Sequence, residues 1–147
     1  MRIKKGFTLQ EVLITLGIVG VIAALILPSV SQNTREKSLT AQKENVKNTL
    51  ENVFTTMQAQ SGEKDFSIED YSNEDLLEYM KFTDDGKKLT LKSGAQIKII
   101  WEKGTVIVDA NGDKKPNKCN EDRIIYSTYT DGKLSPMACK DDDFEDW

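Results

Sequence analysis

Apolar and polar positions divide the chain into three regimes. Residues 12–27 contain no charged side chain, and positions 7–30 hold a single charge, Glu11. As a helix, this stretch is long enough to cross a bilayer core of about 30 Å. Residues 31–38 are polar. Leu39, Val46, Leu50, Val53 and Met57 then recur at steps of seven, four, three and four. That spacing predicts one apolar stripe on a continuing helix, in contact with a globular domain, with Lys43, Lys47 and Glu51 on other faces. Gly62 is the predicted stop. A helix over residues 7–60 measures about 80 Å at 1.5 Å per residue, so only half of it fits inside a membrane.

Beyond residue 62 the period shortens. Ser72-Asn-Glu-Asp75 predicts a helix start, and Leu76, Leu77, Met80 and Phe82 supply the apolar side of a short helix up to about Lys81. Asp84-Asp85-Gly86 marks a turn. Residues 89–91, 95–101 and 105–108 follow as short β-rich runs, separated by Lys92-Ser-Gly94 and Glu102-Lys-Gly104. A fourth run, 123–129, ends at Asp131-Gly132. Such runs and turns predict an antiparallel meander of about four strands. The expected fold class is α+β, with a long N-terminal helix, transmembrane in its first half, packed on a small antiparallel β-sheet.

Glu11 needs a physical reason. A charged side chain in hydrocarbon costs roughly 2.5–3.5 kcal/mol on insertion scales, so an acid placed there is by default functional and partnered. Part of the reason is the helix N-terminus, whose dipole favours an anion. No Lys or Arg occurs between Lys5 and Arg35, so a full countercharge has to be made or brought. A cut between Gly6 and Phe7 makes one, because the new amine lies four residues from Glu11 on the same helical face. A neighbouring copy of the chain is the other source.

The basic leader Met1-Arg-Ile-Lys-Lys-Gly6, followed by Phe7-Thr-Leu-Gln-Glu11 and an apolar helix with Pro28 near its end, resembles the class III signal of type IV pilins and type II secretion pseudopilins. The resemblance covers about the first 30 residues. It implies cleavage after Gly6, N-methylation of Phe7, an assembly role for Glu11 and a helix bend or break at Pro28. The domains expected are a cleaved leader (1–6), a transmembrane and filament-core helix (7–30), its amphipathic continuation (31–61) and a globular α/β region (62–147). A secretory signal peptide fits less well, because the apolar run is too long and contains an acid. An ordinary single-span anchor leaves Glu11 unexplained.

The family also implies a sheet packed on the second half of the helix and a C-terminal disulfide. Cys119 and Cys139 are placed for one, and an exported domain meets oxidising conditions. Two free thiols are the alternative. With no His in the chain, two Cys make a poor zinc set. The net charge is −4, and removing Arg2, Lys4 and Lys5 with the leader leaves −7, which argues against generic affinity for nucleic acid.

Other chemistry is sparse. Asp109-Ala-Asn111-Gly-Asp113 has oxygen donors at alternate positions, as a calcium loop does. Its Gly stands fourth rather than sixth and its twelfth residue is Asn120, so a plain turn is the first reading and a calcium site the alternative, and no metal or cofactor is assigned. Lys114, Lys115 and Lys118 read as a solvated basic turn, and the run from Asp141 to Trp147 as a solvated acidic tail. Without an imidazole base or a framed pair of carboxylates, no enzyme is expected.

The function expected is that of a structural subunit of a pilus-like or pseudopilus filament. The alternative is a membrane-anchored extracytoplasmic binding module that does not polymerise. Implied partners are copies of the chain and related pilins, a prepilin peptidase and methyltransferase, an assembly platform protein, an ATPase and membrane lipid. The implied location is the cytoplasmic (inner) membrane with the leader inside, then a periplasmic or extracellular filament. The acidic surface favours a secretion pseudopilin or a minor subunit over a DNA-uptake pilin.

Overall fold

In the computed structural model, residues 6–144 and Trp147 are described, and the chain divides into two units, Met1–Lys37 and Ser38–Trp147. One helix, α1 (Leu9–Ser61), contributes to both. In the first unit its large apolar side chains, from Leu9 to Val30, are exposed. The helix is long and apolar enough to cross a membrane, and its most apolar window is not buried against the protein. Thr15 Oγ1 returns a hydrogen bond to Glu11 O at 2.9 Å, and Thr34 Oγ1 does so to Val30 O at 2.8 Å. Hydroxyls satisfied within their own helix are the arrangement a lipid-facing segment requires. The backbone is helical through position 28, so no break occurs there.

In the second unit, Val46, Leu50, Val53 and Met57 are buried as the stripe predicts, and Leu39 is half-buried. Phe54, one residue off the stripe, is also wholly buried. α1 ends at Ser61, where Gly62 takes the left-handed conformation (φ 74°) that closes helices.

The sheet is an antiparallel meander of six strands rather than about four: β1 (Phe82–Asp84), β2 (Leu89–Leu91), β3 (Gln96–Ile100), β4 (Thr105–Asp109), β5 (Arg123–Thr128) and β6 (Leu134–Met137). The two strands missing from the sequence reading are the edges. Phe82 does not extend the short helix. The helix α2 (Asn73–Leu76) opens on a complete Ser72/Asp75 capping box and stops after four residues, and Phe82 pairs with Leu91 instead. The carboxylate of Asp84 accepts the amide of Gly86, and that of Asp85 accepts the amides of Lys87 and Lys88, which turns the chain from β1 into β2. β6 contains Pro136, which reads as a strand breaker but is tolerated on an edge. It lies opposite Tyr126 in the register.

Both edges are guarded. Glu51 of α1 accepts the amide of Leu134 at 2.9 Å, and Asn73 Nδ2 donates to Asp84 at 3.0 Å. Edge protection of this kind suppresses unwanted strand addition.

The sheet has two different faces because side chains alternate along each strand. Leu89, Ile97, Val106, Val108, Tyr126 and Leu134 pack with α1, Phe66, Ile68 and Leu76 in the main core. Ile107 and Ile125 point the other way and form a second, smaller core with Phe144.

Candidate functional site

The chain's N-terminal chemistry is concentrated at the start of α1. Arg2, Lys4 and Lys5 lie outside the described residues, as does the cut's upstream side before Gly6. Gly6 has open space around it, and Phe7 is 88% exposed. Glu11 has a local partner that the sequence reading did not name. Its Oε2 accepts the backbone amide of Thr8 at 2.8 Å and the Thr8 hydroxyl at 3.0 Å, and Thr8 Oγ1 accepts the amide of Glu11 at 3.2 Å. Thr8-Leu-Gln-Glu11 is therefore a capping box, with Thr8 as the cap and Glu11 three residues later. The signal was present as the Thr-x-x-Glu spacing. This places the carboxylate beside the first free amides of the helix, within one turn of Phe7, where it meets the positive end of the dipole.

Residues 1–27 match the family model described as the prokaryotic N-terminal methylation motif. The chain carries a prepilin signal. Comparisons with curated proteins and with solved structures found no match. The prepilin signal is the processing and export mark of pilin- and pseudopilin-like subunits, and with the exposed apolar part of α1 it fits a single-pass inner-membrane anchor. It speaks for a structural subunit rather than an enzyme, and it implies processing by a prepilin peptidase.

At the other end of the chain, Cys119 and Cys139 form a disulfide with a Cα–Cα distance of 5.9 Å. In the acidic run after it, Asp141, Asp142 and Asp143 are exposed, as a solvated tail requires, but the run is also anchored. Asp141 Oδ1 accepts the amide of Cys119 at 2.8 Å, Asp143 Oδ2 accepts that of Lys140 at 2.7 Å, and Phe144 is buried. The Trp147 indole donates to Gln96 Oε1 at 3.2 Å. The alternation of acids with two large aromatics in Asp141–Trp147 was the available signal for packing.

The calcium-like pattern is split among other partners. Asp109 is fully buried and receives Arg123 Nε at 2.8 Å, whereas Asp113 is 85% exposed and receives Gln96 Nε2 at 3.2 Å and Lys88 Nζ at 3.4 Å. Asn111 Nδ2 donates to Lys115 O at 3.4 Å. Among the described residues no group of three or more His, Cys, Asp or Glu is arranged to hold a metal. Asp122, buried, accepts the amides of Asn117 and Lys118 at 2.8 Å each and so shapes the loop that carries Lys114, Lys115 and Lys118.

Proposed function

We propose that the chain is a pilin- or pseudopilin-like filament subunit, stored in the cytoplasmic membrane by the first part of α1 and assembled through it. The observation that carries this reading is the methylation motif at residues 1–27 running directly into an exposed, apolar helix. The leader stays in the cytoplasm by its positive charge. Cleavage after Gly6 and methylation of Phe7 then create a cation at the helix start.

Moving the helix from lipid to a helical bundle changes its apolar burial little, so selective contacts decide the register. Glu11 is such a contact. The capping box fixes its carboxylate at the helix start, and the Phe7 amine of an incoming copy neutralises it. Breaking such a pair by removing one partner strands the other charge. Partners of the assembled state are further copies, related pilins, a platform protein and an ATPase.

Two substitutions separate the cap from the charge. Glutamine serves as well as glutamate at the third position of a capping box, so Glu11→Gln keeps the helix start and removes the anion, while Glu11→Ala removes both. Both variants are expected to insert and be cleaved, and both to be depleted from sheared filaments. Glu11→Gln found in filaments at wild-type abundance refutes the charge-pairing role.

A further inference from the structure

Between β4 and β5 the chain makes a long excursion whose polar atoms do not balance. Among the described residues, the buried side-chain polar atoms without a hydrogen-bond partner in the protein are Asp109 Oδ1, Asn111 Oδ1 and Asn117 Oδ1. All are oxygens, and all belong to this one segment. Buried polar atoms in native proteins are almost always satisfied, so such a grouping calls for something that the oxygens hold. Other contacts fold the segment onto itself. The Asp122 carboxylate accepts the amides of Asn117 and Lys118 at 2.8 Å each, its backbone carbonyl accepts the amide of Ala110 at 2.9 Å, and Asn111 Nδ2 donates to Lys115 O at 3.4 Å. Asp122 therefore ties residue 117 to residue 110, which stands between the other two orphaned side chains.

We propose that Asp109 Oδ1, Asn111 Oδ1 and Asn117 Oδ1 are ligands of a hard cation, calcium, that closes the segment between β4 and β5. Two amide carbonyls and one carboxylate make an all-oxygen set, which suits neither zinc nor the softer transition metals. Calcium accepts such oxygens in flexible geometry, whereas magnesium demands near-octahedral order and keeps several waters. A single water has two hydrogens to give and three acceptors to serve, so it leaves one oxygen unanswered. Asp113, which the alternating pattern offers as a donor, is turned to Gln96 and Lys88 instead, and Asn117 takes its place.

Charge points the same way. Asp109 and Asp122 are both fully buried, and Arg123 Nε, 2.8 Å from Asp109 Oδ2, answers one of them. Burial pushes the Asp109 carboxyl up; Arg123 opposes this and Asp122 adds to it, so the guanidinium does not fully compensate the site. A cation on the Oδ1 side supplies the missing charge. The same guanidinium repels it, and only one carboxylate binds directly. The affinity expected is therefore weak, with a dissociation constant on the order of 10⁻⁴–10⁻³ M, the range of extracellular modules. Lys43 Nζ of α1 donates to Asn120 O in this segment at 3.1 Å, so calcium there stiffens the piece of chain that joins the sheet to the helix.

The full chain in detergent micelles, stripped with chelator, is titrated with calcium chloride at constant ionic strength, with magnesium chloride in parallel. Equilibrium dialysis counts bound calcium, and thermal unfolding follows stability. The expected result is one saturable calcium per chain and a melting midpoint raised by about 5–10 °C at about 10 mM calcium, with a smaller rise in magnesium. Asn117→Gly suits the left-handed backbone of that residue (φ 52°) while removing the donor, and is expected to lose the site. Asn111→Asp keeps the oxygen and adds charge, and is expected to bind calcium about tenfold more tightly. Without a metal site, the same change only buries another anion. Asp142→Asn, in the exposed acidic run, is expected to leave binding unchanged. No saturable calcium in the parent, equal binding by Asn117→Gly, or loss of binding in Asp142→Asn overturns the proposal. If Asn117→Gly fails to fold, Asn111→Asp decides, and binding no tighter than in the parent overturns it.

Discussion

Replacing Phe54 with alanine probes how α1 and the sheet are joined. The Phe54 side chain is fully buried, and its ring stacks on Phe66 at 5.4 Å, which in turn stacks on Tyr71 at 5.4 Å. The same turn of α1 lies against Gly132, where an added Cβ would stand 3.3 Å from backbone atoms of Phe54 and Thr55. Collapse around a deleted ring is therefore limited by backbone. Truncating a buried phenylalanine costs about 3–5 kcal/mol, the upper part applying where the cavity stays open. For a unit of about 110 residues, at about 4 °C per kcal/mol, the melting midpoint falls by roughly 12–20 °C. Leu39→Ala, on the same stripe but half-buried, is the internal control and costs about 1 kcal/mol. The assay is thermal unfolding of the full chain in detergent, followed by near-UV circular dichroism. A fall of less than about 4 °C for Phe54→Ala, equivalent to about 1 kcal/mol, refutes the claim that this ring ties helix to sheet.

Three further outcomes test the sheet, its loops and the end of α1. Gly112→Ala places a Cβ 2.5 Å from the carbonyl oxygen of Gly94 at a φ of 66°, and is expected to cost about 2–4 kcal/mol in urea unfolding. Gly62→Ala, at φ 74° in open space, is expected to cost only about 1 kcal/mol. Burial, and then the charge of Glu51, push the Tyr126 hydroxyl above its usual value of 10.0. The folded chain therefore keeps this proton longer than the unfolded chain, and stability is lost as pH rises from 10.0 through the folded value. Urea midpoints compared at pH 9 and pH 11 are expected to fall less in Tyr126→Phe than in the parent, and equal falls contradict this assignment.

The sequence was most readable where one physical requirement dominated. A run able to cross a membrane has to be apolar, so the position of its single acid was conspicuous. The stripe of Val46, Leu50, Val53 and Met57 had to repeat at helical spacing, and its burial follows. Central strands β2 to β5 are rich in β-branched residues and bounded by glycine turns, so their pattern is local. The edges are not local. β1 depends on a hairpin closed by Asp84 and Asp85 carboxylates, and β6 runs through Pro136 because an edge strand leaves room for a residue without an amide proton.

The candidate chemistry divides in the same way. Thr8 and Glu11 sit three residues apart, so their capping box was within reach of sequence reasoning. Arg123 reaches Asp109 across two paired strands, and Trp147 reaches Gln96 across 51 positions, contacts that no local pattern encodes. The acidic run misled because charge counts outweighed Phe144 and Trp147. In the fold Asp141 and Asp143 serve as amide acceptors while Phe144 and Trp147 do the packing.

The central claim is that the anion near the start of α1 awaits an amine released by processing. Intact-mass and N-terminal fragment measurements on native material from the producing cell test it most directly. A mature chain beginning at Phe7 and carrying one added methyl on its amine is the predicted result; a chain still beginning at Met1 contradicts it.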